Sequence, residues 1–309
     1  MSPSSSFRIA GRLGVFTTLA MFGLIVVGSV VRTTGSGLAC PDWPLCHGRL
    51  LPTESINVFI EWFHRLLALM VSLLLFGTAG WIAMHRETRA RLGGLAALAI
   101  VLLFAQVLLG ALTVWKLLHP AVVSSHLATA LLLFATVVAL TQVAFAEAEG
   151  ESGRPARPAG LLPWLAAGTA LLYGQAVLGG IVSTSHAGLA CPDWPTCEGQ
   201  WLPPLEGGVA LQMFHRWGAY AVTLCMLVVA LRARTAPDAG IRAGASMAFG
   251  LTLTQVVLGV CNVFLGTPVW LSAMHLATAA ALIALMVTVS LRAARLPAAE
   301  RAGSLAVAR

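Results

Sequence analysis

Eight long apolar stretches, separated by short polar segments, make up most of the chain. They cover roughly residues 13–31, 58–82, 93–114, 121–144, 161–182, 209–231, 243–265 and 270–291. Each is close to the ~20 mostly apolar residues that a helix needs to cross a bilayer. None shows the alternating pattern of a strand in a transmembrane barrel. The pattern therefore predicts an all-α membrane protein with eight transmembrane helices.

Short motifs recur about 150 residues later in the chain, which indicates an internal duplication. The segment at 35–46, GSGLACPDWPLC, returns at 186–197 as HAGLACPDWPTC. FHR at 63–65 and HLAT at 126–129 also return, at 214–216 and 275–278. Similarity at a fixed spacing is the mark of a repeated structural unit. Residues kept in both copies are therefore candidates for a shared site, and residues that differ are candidates for what makes the halves unequal.

The duplication predicts two tandem four-helix bundles. An even number of helices returns the chain to its starting side, so both copies have the same orientation and a pseudo-two-fold axis runs along the membrane normal. We predict an N-terminal bundle at 1–145 and a C-terminal bundle at 161–309. Residues 146–160 are polar and rich in glycine and proline, as expected for a linker.

Composition and charge support a membrane location. Hydrophobic residues make up 58% of the chain and charged residues 10%, whereas a soluble domain has about 25% charged residues. Most basic residues fall in the termini, the linker and the loops at 83–92 and 232–242, which share one predicted side. The positive-inside rule makes that side cytoplasmic, in a bacterial inner membrane with both termini inside. Because these residues are scattered over short loops, the net charge of +7 does not indicate a nucleic-acid partner.

Four histidines pair across the duplication, His64 with His215 and His126 with His275. They begin the second, sixth, fourth and eighth predicted helices, which all run from outside to inside, so the four imidazoles lie at one outer depth. Two histidines per four-helix bundle suit bis-imidazole ligation of a heme iron. The alternatives are helix-end histidines bonded to their neighbours, or a zinc site, which normally needs four ligands.

A charged pair accompanies the first histidine of each half. Glu61, His64 and Arg65 lie on one helix face, and Gln212, His215 and Arg216 replace them in the second copy. Arg65 and Arg216 are candidates to bind heme propionates, or simple anchors at the helix ends. Only the first half has the carboxylate, so Glu61 is a candidate catalytic residue, the alternative being an ion pair with Arg65.

Cysteines and glutamines also recur. Cys40 and Cys46, and Cys191 and Cys197, lie in predicted outer loops facing an oxidising compartment, which favours two structural disulfides over redox-active pairs. Cys225 and Cys261 lie in apolar helices and have the character of small core residues. Gln106 with Gly110 matches Gln255 with Gly259, and we interpret them as helix-packing positions with glutamines that bond across helices.

Taken together, these motifs resemble the heme A synthase family of bacterial and mitochondrial membrane enzymes. The resemblance covers nearly the whole chain and is carried by E-x-x-H-R at 61–65, by His126, His215 and His275, and by the cysteine pairs. It implies heme b as cofactor, held by His215 and His275, and heme O as substrate, received near His64 and His126 with Glu61 needed for activity. The implied reaction is oxidation of the C8 methyl of heme O to a formyl group, giving heme A for a heme-copper cytochrome oxidase.

The resemblance leaves several questions to the structure and to experiment. Family members vary in their loop cysteines, so a catalytic role for Cys40–Cys46 stays open. Partners to consider are the lipid bilayer, a heme O synthase, cytochrome oxidase assembly factors, an electron partner and a second copy of the chain. Two other functions compete: a diheme b-type membrane cytochrome, which would not explain the Glu61/Gln212 difference, and a membrane thiol oxidoreductase, which would not explain the histidines.

Overall fold

The computed structural model describes residues 3–52, 55–150 and 157–297. Within them the chain forms eight long helices: α1 (Pro3–Thr33), α2 (Ile56–Met84), α3 (Arg86–Trp115), α4 (Pro120–Glu149), α5 (Leu161–Thr184), α6 (Gly207–Ala233), α7 (Ala239–Phe264) and α8 (Val269–Ala294). All eight are long and apolar enough to cross a membrane. The predicted all-α membrane protein is confirmed, and each predicted span lies within or close to one helix.

Several helices are longer than the apolar stretches that predict them, because a helix continues into the polar boundary of a membrane. α1 begins at Pro3 rather than near 13, and α3 begins at Arg86 rather than near 93. Local chemistry sets some of the ends. The Asp238 carboxylate accepts the N–H of Ile241 at 2.9 Å at the start of α7, and Pro120 occupies the first turn of α4.

Helix packing repeats between the halves. α1 packs on α2 and α4, and α3 on α2 and α4; α5 to α8 pack on one another in the same order. Between the halves, α4 contacts α8, while α1 packs on α8 and α4 packs on α5. If the two copies are exchanged, the α1–α8 contact becomes the α5–α4 contact, and the α4–α8 contact becomes itself. The packing is therefore compatible with the predicted two-fold arrangement of tandem bundles.

One apolar core runs across the boundary between the halves. Leu131, Phe134 and Val137 of α4 belong to it together with Ile283 and Met286 of α8. α4 is the most enclosed helix, with half of its most apolar segment buried. Polar contacts join α4 to α5 at the same boundary: Ser124 and Thr184 share a hydrogen bond of 2.8 Å, and the Tyr173 hydroxyl donates to the Ala128 carbonyl.

Two matching loops join α1 to α2 and α5 to α6. We call residues 34–52 the first cysteine loop and residues 185–206 the second cysteine loop. Each starts with a short 3₁₀ turn, at Ser36–Leu38 and Ala187–Leu189. Both predicted disulfides are present, Cys40–Cys46 and Cys191–Cys197. Of the other two cysteines, Cys225 is buried in α6 and Cys261 is half-buried in α7, as expected for packing residues.

Candidate functional site

Each of the four repeated histidines packs against a glycine on the preceding helix. A Cβ atom added to any of these glycines would lie 2.9 Å (Gly179) or 3.2 Å (the others) from the imidazole Cε1, closer than side chains normally approach. The pairs are Gly28–His64 between α1 and α2, Gly110–His126 between α3 and α4, Gly179–His215 between α5 and α6, and Gly259–His275 between α7 and α8. The even-numbered helices thus supply the imidazoles, and the odd-numbered helices supply flat backbone against which they lie.

Glutamines one turn before three of these glycines contact the histidines. Gln106 Nε2 lies 3.2 Å from Nε2 of His126, and Gln255 Nε2 donates to the backbone carbonyl of His275 at 2.9 Å. Gln175 Nε2 lies 2.9 Å from Nδ1 of His215 and donates to the carbonyl of His215 at 2.7 Å. The predicted bonding of Gln106 and Gln255 across helices is confirmed, and their partners are the candidate ligands.

The histidines of each half form a pair. His64 and His126 are close enough to interact electrostatically, and so are His215 and His275. All four histidines are half-buried. The structure therefore brings together the two candidate ligands in each half, on α2 and α4 and on α6 and α8.

Several ring nitrogens of these imidazoles lack a hydrogen-bond partner among the described residues. Nδ1 of His64, His126 and His275 is buried without a hydrogen-bond partner among the described residues. Unpaired polar atoms are costly inside a membrane protein, which indicates that the described side chains are not their full complement of partners. Among the described residues, His, Cys, Asp and Glu form no group of three or more that could hold a bare metal ion. Two imidazoles per half would suit a heme, whose iron takes histidine nitrogens as ligands.

The arginines hold the cysteine loops. Arg65 donates through Nη1 to the carbonyls of Asp42 at 2.6 Å and Leu45 at 2.5 Å, and through Nη2 to the carbonyl of Cys40 at 3.0 Å. Arg216 does the same in the second half, donating to the carbonyls of Thr196 and Cys191. Because the guanidinium groups face loop carbonyls, their main contacts in this structure are to the protein. Propionate binding by these arginines stays a prediction.

Glu61 differs from its counterpart in its partners as well as its charge. Its carboxylate is buried, pairs with Arg65 Nη2 at 2.5 Å and accepts the N–H of Cys40 at 2.7 Å. Gln212 is equally buried, but it donates to the carbonyl of Gly188 at 3.2 Å, and its Oε1 has no partner among the described residues. Glu61 therefore links the base of the first cysteine loop to α2, and it stands one helical turn from His64.

An aspartate shapes each cysteine loop, a role that the sequence pattern alone does not predict. Asp42 accepts the N–H groups of His47 at 2.6 Å and Gly48 at 2.8 Å, where the backbone turns with positive φ angles. The hydrogen bond from Gly48 and its neighbours holds the pKa of Asp42 below its usual value of 3.8. The repeated C-P-D-W-P motif contains this aspartate, so the signal was in the sequence, but its contact is set by loop backbone that no periodicity predicts.

Asp193 occupies the same place in the second cysteine loop. Its carboxylate accepts the hydroxyl of Thr196 at 2.6 Å and the N–H groups of Glu198 at 2.7 Å and Gly199 at 3.0 Å. The Thr196 hydroxyl is the largest cause of a pKa well below the ordinary value of 3.8. The first loop has Leu45 in place of Thr196, so Asp42 lacks this donor.

Comparison with known proteins finds relatives along most of the chain. A family model described as COX15-CtaA, cytochrome oxidase assembly protein, matches residues 11–58 and 53–287, which include Glu61 and all four histidines. A protein of Halalkalibacterium halodurans named heme A synthase is 33% identical over 280 residues, covering 85% of this chain and 91% of that protein. Proteins of the same name from Geobacillus thermodenitrificans and a Methylobacterium species are each 31% identical, covering 84% and 88% of this chain and 83% and 89% of their own length.

Proposed function

Because the chain belongs to the COX15-CtaA family of heme A synthases, we propose that it converts heme O to heme A by oxidising the C8 methyl of the porphyrin to a formyl group. It is a multi-pass membrane protein and an enzyme of heme A biosynthesis. The observation that supports the oxidative chemistry best is the set of four half-buried histidines. They form two pairs, and three of them have a buried Nδ1 without a partner among the described residues.

His215 and His275 would hold heme b in the C-terminal half. They lie about two turns into α6 and α8. The backbone at Gly179 and Gly259 lets a neighbouring helix approach each ring closely. When bound, heme b would supply one-electron redox chemistry next to the substrate site. The uncharged Gln212 keeps this half free of the carboxylate that marks the other, which suits a site that binds and transfers electrons.

His64 and His126 would receive heme O in the N-terminal half. Glu61 lies one turn before His64 on α2, so its carboxylate is on the same helix face as the candidate ligand. A negative charge held there by Arg65 and the Cys40 N–H is placed to stabilise positive charge that develops on the substrate, or to orient a proton acceptor. Glu61 is therefore the proposed catalytic residue of this half.

The cysteine loops would cover the two heme sites on the outer side of the membrane. Each loop is closed by its disulfide and tied by an arginine to the helix that carries the first histidine of its half. Arg65 and Arg216 each stand next to that histidine, so a carboxylate of bound heme would share a guanidinium that already bonds loop carbonyls. In this role the disulfides are structural, and Cys40–Cys46 is not needed to exchange electrons.

The proposal is tested by supplying heme O. The chain is coexpressed with a heme O synthase in a host that lacks its own heme A pathway, and the hemes are extracted and separated by chromatography. We expect heme A with the parent chain, no heme A with His64→Ala or His126→Ala, and loss of bound heme b with His215→Ala or His275→Ala. Bound heme with no heme A in the parent strain would instead identify a diheme cytochrome, and an absence of bound heme would favour a thiol oxidoreductase.

A further inference from the structure

The two halves differ in what lies beside the first histidine of each pair. In the C-terminal half, Gln175 on α5 reaches both Nδ1 and the backbone carbonyl of His215. In the N-terminal half, Leu24 on α1 stands at the position of Gln175, and Nδ1 of His64 is buried without a partner among the described residues. One imidazole is thus held by an amide and its counterpart is not.

A second difference accompanies the first. Gly218 on α6 lies directly against the amide of Gln175, since a Cβ at 218 would collide with Oε1 and lie 3.1 Å from Cδ. The three heavy atoms nearest to that Cβ all belong to Gln175. The matching residue in the N-terminal half is Leu67. The amide and the glycine that makes room for it are therefore present together in one half and replaced together, by two leucines, in the other.

We propose that Gln175 and Gly218 make the C-terminal site retain its heme. Leu24 and Leu67 give His64 no such partner, so that His64 dissociates from a heme iron more readily. The inference rests on the proposed function, because it assigns the retained heme and the exchanged heme to the two histidine pairs. Gln175 is a positioning residue: it touches the imidazole and not the heme. A partner on the outer nitrogen of a ligating histidine fixes the ring orientation and raises the affinity for the metal.

The chemistry of an amide suits this position. A histidine that binds iron through Nε2 carries a proton on Nδ1, and a free neutral histidine carries its proton on either nitrogen. In the structure Gln175 donates to Nδ1 through Nε2, which fits a free ring with its proton on Nε2. When Nε2 binds iron and Nδ1 carries the proton, the amide must turn so that Oε1 accepts it, giving up its bond to the His215 carbonyl. A leucine partners neither form of the ring. His64 therefore turns away from an iron without breaking a hydrogen bond, which a substrate site that must release its product at each turnover requires.

The test measures how fast heme leaves the C-terminal half. Purified full-length protein carrying His64→Ala and His126→Ala, so that only His215 and His275 hold heme, is mixed with excess apomyoglobin. Transfer is then followed by absorbance. We expect Gln175→Leu to speed heme b release at least about tenfold, since losing such a partner typically costs 10–100-fold in metal affinity.

Gly218→Ala is a second variant that should speed heme b release, and it leaves Gln175 in place. The added methyl displaces the amide, so release should again be faster, and it should add little in the Gln175→Leu background because both changes act through one contact. Asn262→Leu is the matched control, since this α7 amide bonds the carbonyls of Leu258 and Leu271 and the hydroxyl of Ser272 and contacts no histidine. We expect this variant to release heme at close to the parent rate.

The reciprocal change tests the other half. Leu24→Gln with Leu67→Gly installs the C-terminal pair beside His64, and we expect slower release of heme O added to the purified protein, with an altered low-spin signal in electron paramagnetic resonance. Parent-like heme b release from Gln175→Leu would overturn the inference, and so would equal acceleration by Asn262→Leu. A parent protein that binds no heme at His215 and His275 would overturn the proposed function itself.

Discussion

At the scale of single residues, the charge at position 61 is the clearest difference between the halves. The structure gives the Glu61 carboxylate two partners, Arg65 and the backbone N–H of Cys40. Its ion pair with Arg65 was the alternative to a catalytic role, and the structure contains that pair. The two roles are compatible, because a buried carboxylate needs fixed partners to keep its charge and its direction in a site that excludes water.

Glu61→Gln removes this charge and keeps an oxygen that can accept the Cys40 N–H. We expect heme b to be retained while heme A output falls by roughly 10²–10³, the usual cost of losing one stabilising group in a dry site. Extracted hemes are quantified by chromatography, and heme O should accumulate. Gln212→Glu is the control, since it adds a carboxylate in the C-terminal half and should leave heme A output unchanged. If Glu61→Gln made heme A at the parent level, Glu61 would not be catalytic, and its role would be limited to holding the first cysteine loop.

The residues also show what the sequence alone predicts and what it hides. The histidines were found because both copies keep them, and Gln106 and Gln255 for the same reason. Gln175 could not be found in this way, because its counterpart in the first copy is Leu24 and the two copies share no glutamine there. The sequence makes Arg65 a candidate propionate ligand or a helix-end anchor, because its neighbour is a candidate heme ligand. A long side chain reaches in several directions, and sequence spacing does not tell that its carbonyl partners lie in the cysteine loop.

At the scale of the helix, the position of a glycine decides whether an imidazole can pack against that helix. The odd-numbered helices were predicted correctly as apolar spans, but periodicity did not show that each has one glycine facing an imidazole. Gly179 and Gly174 both lie within α5, and only Gly179 meets a histidine, while nothing lies within 4 Å of a Cβ at Gly174.

We therefore expect Gly179→Ala to lower bound heme b, because a Cβ there would lie 2.9 Å from Cε1 of His215 and push the ring out of line. Gly174→Ala should keep parent heme content and slightly raise thermal stability, since alanine favours the helix by up to ~1 kcal/mol. Heme per protein is read from the pyridine hemochrome spectrum. Equal heme content in the two variants would contradict the ring-packing role of Gly179.

The cysteine loops form elements of their own, and their aspartates make them sensitive to acid. The pKa of both carboxylates is lowered in the folded protein, so their hydrogen bonds stabilise the loops fully above the unfolded value near 3.8. That contribution is lost as the pH falls through the lower, folded pKa. Asp42 lacks the hydroxyl donor that Asp193 receives from Thr196, so the first loop should loosen at a higher pH than the second.

The check is disulfide reduction by a phosphine at decreasing pH, followed by thiol labelling and mass spectrometry. We expect Cys40–Cys46 to become reducible before Cys191–Cys197 as the pH falls below about 4. Leu45→Thr is the matched variant, because it offers Asp42 the donor that the second loop has, and it should shift the first loop toward the second. Identical pH profiles of the two loops in the parent protein would show that the aspartates do not hold them.

At the scale of the whole molecule, the distribution of arginine predicts orientation, and the fold supplies sites to test it. The connections after α3 and α7 should face outward, and those after α2 and α6 inward. Cysteine introduced at Lys116 or Thr267 in a background without Cys225 and Cys261 should react with an impermeant maleimide on intact spheroplasts. Cysteine at Glu87 or Thr235 should react only after the membrane is opened. The opposite pattern would invert the predicted topology and move the heme sites to the cytoplasmic side.

The contacts between the halves have a consequence for how such a molecule comes to have two different sites. α4 meets α8, and the α1–α8 contact is matched by the α4–α5 contact, which is the pairing that two identical four-helix subunits would make in a self-complementary dimer. In a dimer encoded by one gene, every substitution appears in both subunits. A glutamine beside one histidine and a leucine beside its twin are then impossible, as are a glutamate and a glutamine one turn before them. Joining the copies in one polypeptide removes that restriction, so the covalent link gives each histidine pair an evolutionary history of its own.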